Sequence, residues 1–202
     1  MQYPNIVFDM GNVLIDYDPD KVTKHYTDDP VLIKKIHNLV FSSMEWIKLD
    51  AGLISEKVAL SAMLKRFDSD AERELAKLAF LHWDHFNMWA KPGMESIVRD
   101  LKNRGHRIYI LSNASLRLPK IYMNYMPAAE LYDGVFFSAE YQLIKPQKEI
   151  YQTFLNTFHL DASECFFIDD LPENIAAAKS QGFGGYCFDG NVEKLKNVLA
   201  LM

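Results

Sequence analysis

Six polar residues of the kinds that enzymes use in catalysis stand at or near the ends of short apolar runs in this sequence. They are Asp9, Ser112, Asn113, Lys145, Asp169 and Asp170. Because ligands of open α/β sheets collect at the carboxyl ends of the strands, we expect these side chains to meet in one site. They offer a carboxylate nucleophile, hydrogen-bond donors, a cation and a carboxylate pair, which are the groups that phosphoryl transfer and Mg²⁺ binding need. The set therefore predicts a phosphoryl-transfer site.

The apolar runs themselves predict a parallel sheet. They are continuously apolar rather than alternating, as is typical of strands buried on both faces. Segments with helical periodicity lie between them, so that strand and helix alternate through right-handed crossovers. The predicted fold is α/β, with a Rossmann-like doubly wound parallel sheet. The predicted strands are Ile6–Phe8, Ile108–Leu111, Val135–Phe137, Cys165–Ile168 and Gly185–Phe188, and the predicted helices Pro92–Arg104, Gln147–Phe158 and Glu173–Gln181.

Residues 17–88 interrupt this alternation with several amphipathic segments and no convincing strand. They predict an all-helical cap inserted after the first strand, with residues 1–16 and 89–202 forming the Rossmann-like core. Ser55 is a good N-cap for one cap helix, because Glu56 then lies in its first turn. We expect Trp46 and Lys48 of the cap to take part in substrate choice.

Composition excludes several classes of function. The 202 residues are 49% hydrophobic and 24% charged, as in an ordinary globular protein, and the net charge of −5 provides no positive field for nucleic acid. No apolar run is long enough to span a membrane, and the N-terminus lacks a signal peptide. The two cysteines, Cys165 and Cys187, lack metal or redox spacing and are expected to be reduced core residues. We therefore expect a cytoplasmic monomer or small homo-oligomer that binds a small molecule.

Four stretches, FDMGNVLID, LSNAS, IKPQKEIY and FFIDDLPENIAAAKSQG, follow one another along the chain. Together they closely resemble the four motifs of the haloacid dehalogenase superfamily, in the subgroup with a helical cap inserted after the first motif. The resemblance covers essentially the whole chain and is strongest in the core. It implies a Mg²⁺-dependent hydrolase that acts through an aspartyl-phosphate.

The resemblance also implies a role for each residue of the predicted metal site. Asp9 matches the nucleophile, which is also a metal ligand, and Gly11 matches the position whose backbone carbonyl binds the metal. In the acidic pair, Asp170 matches the direct ligand of Mg²⁺ and Asp169 a ligand that acts through water. Taken without the resemblance, such a pair can equally be the N-terminal cap of a helix.

The phosphate-binding residues are implied in the same way. Ser112 matches the hydroxyl that holds phosphate, with Asn113 beside it, and Lys145 matches the lysine that neutralises nucleophile and phosphate. Ser112 and Asn113 can also be turn formers alone. Asn174 can serve the site or only brace the loop after Asp170.

Gly11 is the one departure from the usual motif, because most phosphatases of this superfamily carry an aspartate there. That second acid protonates the leaving oxygen and later activates water. One reading is a phosphatase in which water, another side chain or a substrate hydroxyl handles the proton. DMGNVLIDYD resembles the motif in the branch containing bacterial α-D-glucose-1-phosphate phosphatases. Asp16 and Asp18 either reach the site or cap the helix after Pro19.

Two other readings of Gly11 remain open. The 2-haloacid dehalogenases of the superfamily also lack the second acid, and they need no metal. A domain without turnover that binds a ligand or a protein is the third reading. The sequence favours the first one, a Mg²⁺-dependent phosphatase for a small phosphorylated metabolite, with a hexose phosphate as the leading hypothesis.

Overall fold

The computed structural model describes residues 2–201 and has a five-stranded parallel sheet at its centre. The predicted strands are confirmed to within one residue at each end. Their bounds are β1 Asn5–Phe8, β4 Arg107–Ser112, β5 Gly134–Phe137, β6 Cys165–Asp169 and β7 Gly184–Cys187. The strand order is β5-β4-β1-β6-β7, so the first strand of the chain lies in the middle of the sheet.

Both faces of the sheet are covered by helices, as the continuous apolar runs predict. Ile6 and Phe8 of β1 belong to one core cluster and Val7 to a second, because successive side chains of a strand point to opposite faces. Helices α6 (Met94–Asn103) and α11 (Val192–Ala200) pack in the first cluster, and α9 (Lys148–Phe158) and α10 (Pro172–Ser180) pack in the second. The α/β fold class is therefore confirmed. Two short helices, α7 Leu118–Ile121 and α8 Ser138–Tyr141, follow β4 and β5.

The segment between the first strand of the sheet and α6 forms five helices. Three of them begin at a serine whose hydroxyl accepts the backbone N–H three residues later, which satisfies a donor of the first helical turn. Ser55 is one of these three, so its predicted role as an N-cap is confirmed. The helices are α1 Lys21–Tyr26, α2 Pro30–Ile36, which continues as a π-helical turn to Phe41, α3 Met44–Asp50, α4 Glu56–Leu64 and α5 Asp70–Asn87.

Two short strands join this helical segment to the rest of the chain. β2 (Ile15–Tyr17) and β3 (Met88–Ala90) pair antiparallel as a ribbon, with Asp16 opposite Trp89. The sequence analysis did not predict this ribbon. The ribbon lies at the predicted boundaries of the cap, although the partition into core and cap remains a prediction. None of the helices in residues 2–201 combines the length and the apolar character that crossing a membrane requires.

The two cysteines occupy different positions in the sheet, and one of them is not in the core. Cys165 is a buried free thiol in β6, as predicted. Cys187 is exposed, so its assignment to the core was wrong. It ends β7, which pairs with β6 on one side only and is an edge of the sheet. An apolar run at the end of an edge strand does not distinguish the buried from the exposed face.

Helix α3 approaches the core very closely just after its end. Gly52 has a left-handed backbone, with φ +66°, and a side-chain carbon on it would overlap the backbone carbonyl of Ala139 in α8. Gly105, after α6, is also left-handed, with φ +87°, but a carbon there would meet nothing within 4 Å. Both glycines therefore need a left-handed backbone, but only Gly52 also lies in close contact with another helix.

This difference predicts the effect of alanine at the two positions. Gly105→Ala should lower the free energy of unfolding by about 1–2 kcal/mol, the cost of a left-handed alanine. Gly52→Ala should cost about 1–3 kcal/mol more, because the methyl group also displaces α3 from α8. Urea denaturation of both variants measures the two values. Equal losses would contradict the close contact at Gly52.

Candidate active site

The central strand and its two neighbours bring three of the predicted residues together. Asp9 directly follows β1, Ser112 ends β4 and Asp169 ends β6. Phe8, the last residue of β1, pairs with Ile110 of β4 and with Ile168 of β6. The three side chains therefore stand at the same edge of the sheet, as strand order and register require.

The ammonium group of Lys145 lies at the centre of this edge. Its Nζ is 2.9 Å from Oδ1 of Asp9, 2.7 Å from Oδ2 of Asp169 and 3.0 Å from the carbonyl oxygen of Leu111. Lys145 is buried, and three acceptors match the three donors of an ammonium group. Burial disfavours the charge, but Asp9 and Asp169 outweigh it and raise the pKa of Lys145. Lys145 is therefore a cation held against the carboxylate of Asp9.

Asn113 holds Lys145 in place through its backbone. The amide oxygen of Asn113 accepts the N–H of Lys145 at 2.8 Å, and its Nδ2 donates to the carbonyl of Lys145 at 3.1 Å. Ser112 differs, because its buried hydroxyl forms no hydrogen bond with any residue in the range 2–201. The hydroxyl of Ser112 is therefore free to bind a ligand.

Asp169 is fully buried and its carboxylate is surrounded by donors. It accepts the backbone N–H of Leu171 at 2.8 Å, the amide of Asn174 at 3.0 and 3.1 Å, and the ammonium of Lys145. Asn174 thus holds this carboxylate in place. The geometry makes Asp169 the support of Lys145.

The Gly11-Asn12 turn brings the second acidic residue of the pair to the site. Asn12 has a left-handed backbone, with φ 56°, which asparagine tolerates better than most residues. Its Nδ2 donates to Oδ2 of Asp170 at 3.4 Å. The sequence analysis did not identify Asn12, although the Gly-Asn pair is a recognised signal of a tight turn.

Three carboxylates form a cluster that suits a metal ion. One oxygen each of Asp9, Asp169 and Asp170 lie within 4.8 Å of one another. Burial, and then the charge of Asp169, raise the pKa of Asp9 to about 6, although Lys145 opposes this. Burial and Asp169 also raise the pKa of Asp170. The single ammonium group does not offset three carboxylates, so the oxygen ligands and the excess negative charge fit a divalent cation such as Mg²⁺.

A cavity of about 150 Å³ opens above this edge of the sheet. Its core side includes Asp9, Gly11, Ser112 and Asn113, all of which belong to the predicted site. Its other side is largely aromatic and apolar. That side is lined by Ile15, Tyr17, Trp46, Trp83, Met88 and Leu118, together with Asp50.

Several predicted contacts of the helical segment are now placed. Trp46 lines the cavity, whereas Lys48 is exposed and is not among the lining residues. Asp16 pairs with Lys91, and Asp18 accepts the N–H of Asp20 at 2.9 Å before α1. Asp50 was not identified from the sequence, because nothing in its local pattern distinguishes it from other carboxylates on a helix.

The fold is a parallel α/β sheet, and its candidate active site lies at the carboxyl edge of the strands, next to helices α3 and α5. The model of the haloacid dehalogenase-like hydrolases matches residues 3–182, and this chain belongs to that family. The predicted membership of the family, and the class of enzyme, are therefore confirmed. The glucose-1-phosphate phosphatase branch remains a prediction.

Two relatives of known activity resemble most of the chain. A sesquiterpene phosphatase from Aspergillus oryzae is 26% identical over 183 residues, which are 89% of this chain and 86% of the relative. A D-ribitol-5-phosphate phosphatase from Bacteroides thetaiotaomicron is 27% identical over 191 residues, 89% and 88% of the two chains. Both relatives are phosphatases, but they act on very different alcohols.

A solved structure supports the fold. A haloacid dehalogenase family enzyme from Bacteroides thetaiotaomicron, in complex with magnesium and inorganic phosphate, superimposes with a TM-score of 0.72 at 20% identity. The superposition covers 94% of this chain and 96% of the other.

The raised pKa of Asp9 predicts a pH-dependent stability in the absence of metal. Because the folded pKa exceeds the usual value of 3.8, the folded protein loses stability as pH rises from about 4 through 6. Asp9→Asn removes this loss. The free energy of unfolding of Asp9→Asn should therefore rise relative to that of the wild type by about 2–3 kcal/mol between pH 4 and pH 8. Urea denaturation in EDTA measures it. Asp28→Asn, which removes an exposed carboxylate, is the control, and equal pH profiles for wild type and Asp9→Asn would contradict the prediction.

Proposed function

We propose that this enzyme is a Mg²⁺-dependent phosphatase that hydrolyses a small phosphate ester through an aspartyl-phosphate on Asp9. The observation that carries the proposal is the position of Asp9. It follows the central strand, lines the cavity and shares a buried lysine with Asp169. An accessible carboxylate beside a cation and free donors is suited to attack on phosphorus.

The reaction then proceeds in two displacements. An oxygen of Asp9 attacks phosphorus, and the bond from phosphorus to the ester oxygen breaks as the alcohol leaves. Water next attacks the phosphorus of the aspartyl-phosphate, which releases inorganic phosphate and restores the carboxylate. In both steps the hydroxyl of Ser112 donates to a phosphoryl oxygen, and Lys145 offsets negative charge on Asp9 and on the phosphoryl group.

The proposed ligands of Mg²⁺ are the carboxylates of Asp9 and Asp170 and the backbone carbonyl of Gly11, with Asp169 acting through water. The carboxylate cluster within 4.8 Å supports this assignment. When bound, the ion offsets the charge of the phosphoryl group and of the carboxylates that surround it. Asn12 orients Asp170, and Lys145 holds the carboxylate of Asp169 in place.

The substrate is proposed only as a class. The cavity is small and its upper wall is aromatic, which suits the compact alcohol part of a phosphorylated metabolite. A hexose phosphate remains the leading hypothesis. Phosphatase relatives named for a sesquiterpene and for ribitol 5-phosphate support the reaction and leave the alcohol open.

Gly11 favours one second candidate, a 2-haloacid dehalogenase. Halide displacement needs no acid on the leaving group, and Asp9 would then attack carbon. The carboxylate cluster argues against a dehalogenase, because halide displacement does not require a site that suits Mg²⁺.

Turnover assays distinguish the two candidates. Wild-type protein should release phosphate from p-nitrophenyl phosphate and from members of a sugar phosphate panel with Mg²⁺, and lose this activity in EDTA. Asp9→Asn should lose all turnover because the nucleophile is gone, whereas Asp28→Asn should keep it. Chloride release from 2-chloropropionate that ignores EDTA would instead establish the dehalogenase.

Metal binding can be tested without turnover. Mg²⁺ should raise the melting temperature at pH 8 in a concentration-dependent way, because a ligand that binds the folded state stabilises it. Asp170→Asn removes a proposed ligand and should abolish most of the shift, while Asp28→Asn should retain it. An unchanged shift in Asp170→Asn would contradict the assignment of this residue.

A further inference from the structure

Gly11 leaves the proposed reaction without a proton donor at the usual place. The alcohol of an alkyl phosphate leaves as a strong base, so its oxygen needs a proton as the bond to phosphorus breaks. Gly11 lines the cavity but carries no side chain. Another group of this chain must stand near the leaving oxygen if alkyl phosphates are to be hydrolysed quickly.

The direction of attack limits where that group can be. The attacking and leaving oxygens of a phosphoryl transfer lie roughly in line. Since Asp9 attacks from the edge of the sheet, the leaving oxygen points away from the sheet, towards α3 and α5. Within residues 2–201, the acidic residues that line the cavity are Asp9 and Asp50, and Asp50 belongs to α3.

The cavity places Asp50 beside the space where the reacting group would bind. Asp9 and Asp50 both line this cavity of about 150 Å³, Asp9 from the end of β1 and Asp50 from the end of α3. A phosphoryl group placed against Asp9 therefore lies in a space that Asp50 also borders.

Contacts with the core hold Asp50 in position. Its backbone carbonyl accepts the hydroxyl of Ser138, and the same hydroxyl accepts the N–H of Ala114 at 2.9 Å. The N–H of Ser115 faces its carboxyl group, and Gly52 packs against α8 two residues later. The loops after β4 and β5 thus fix the end of α3 above the site.

We propose that Asp50 is the general acid and base of this enzyme and replaces the acid that is missing at Gly11. The inference rests on the proposed phosphatase function. In the first displacement the carboxyl group of Asp50 gives its proton to the leaving oxygen as the bond to phosphorus breaks. In the second, the carboxylate of Asp50 takes a proton from the water that attacks the aspartyl-phosphate, which restores the acid.

The surroundings of Asp50 suit a proton donor. Burial raises the pKa of Asp50 well above its usual value, and the N–H of Ser115 opposes this only in part. Tyr17 lines the same wall, and its buried hydroxyl has no hydrogen-bond partner within residues 2–201. Asp9, by contrast, has Lys145 beside it. The two carboxyl groups of the cavity thus lie in different environments, one suited to the nucleophile and one to the acid.

The test compares a poor leaving group with a good one. Four proteins are compared: the wild type, Asp50→Asn, Gly11→Asp and the double variant. Each enzyme is mixed in excess over p-nitrophenyl phosphate or over an alkyl phosphate, and the rate of alcohol release in a single turnover is measured. Asp50→Asn should slow release from the alkyl phosphate by about 10²–10⁴-fold and from p-nitrophenyl phosphate by much less, since nitrophenolate needs no acid. Glu45→Gln, in the same helix but paired with Arg66, should leave both rates unchanged.

Gly11→Asp supplies the rescue. A side-chain carbon at Gly11 would meet nothing within 4 Å, so the backbone there accepts a β-carbon without a clash. In the double variant it should restore alkyl phosphate cleavage at least about tenfold over Asp50→Asn. In the wild-type background it should bring little gain, because an acid is already present.

The outcomes separate this inference from the proposed function. Phosphatase activity in the wild type that Asp9→Asn abolishes supports the function, whatever Asp50 does. Equal loss for both esters in Asp50→Asn, or a gain of tenfold or more from Gly11→Asp alone, would overturn the role of Asp50. The second outcome remains decisive if circular dichroism shows that Asp50→Asn does not fold. No phosphate release by the wild type from any ester would overturn the proposed function itself.

Discussion

The buried ammonium group of Lys145 is the interaction on which the site depends. A buried cation is strongly unfavourable unless charged and polar partners surround it, and here Asp9, Asp169 and the carbonyl of Leu111 do so. These partners come from the ends of three adjacent strands, β1, β6 and β4. The lysine therefore needs these three strands in register. The carboxylates around it still leave excess negative charge, which is why the same sheet edge suits a divalent cation and, through it, a phosphate ester.

Much of this edge could be predicted because its signals are local. A continuous apolar run that stops at a polar residue marks the end of a buried parallel strand, so Asp9, Ser112 and Asp169 could be placed from sequence alone. The ribbon β2–β3 could not be predicted, because a three-residue strand shows no period. Asn12 and Asp50 were missed for another reason. Their roles come from a contact with Asp170 and from the packing of α3 on α8, and neither contact leaves a pattern in the chain.

The acidic pair shows how neighbouring residues of one type come to differ. Asp169 is enclosed, with Leu171, Asn174 and Lys145 donating to its carboxylate, whereas Asp170 is only partly buried and has Asn12 nearby. A carboxylate with its acceptors satisfied positions other groups, and a carboxylate with free acceptors can bind a metal. The resemblance assigns Asp170 as the direct ligand of Mg²⁺ and Asp169 as the ligand that acts through water, and these assignments stay predictions. The hydrogen bonds supply a physical reason for this difference between the two residues.

With Asp50 of α3 as the acid, in place of an aspartate after the first strand, the helical insert takes part in proton transfer. With an aspartate at the position of Gly11, nucleophile and acid would belong to one turn of the chain and would always be together. With Asp50 as the acid, both displacements require α3 to be seated on the loops after β4 and β5, through Ser138 and the close approach at Gly52. An aspartyl-phosphate formed beneath a displaced insert would then wait for Asp50 before water could attack efficiently. Proton transfer is thereby tied to the seating of α3 on these two loops.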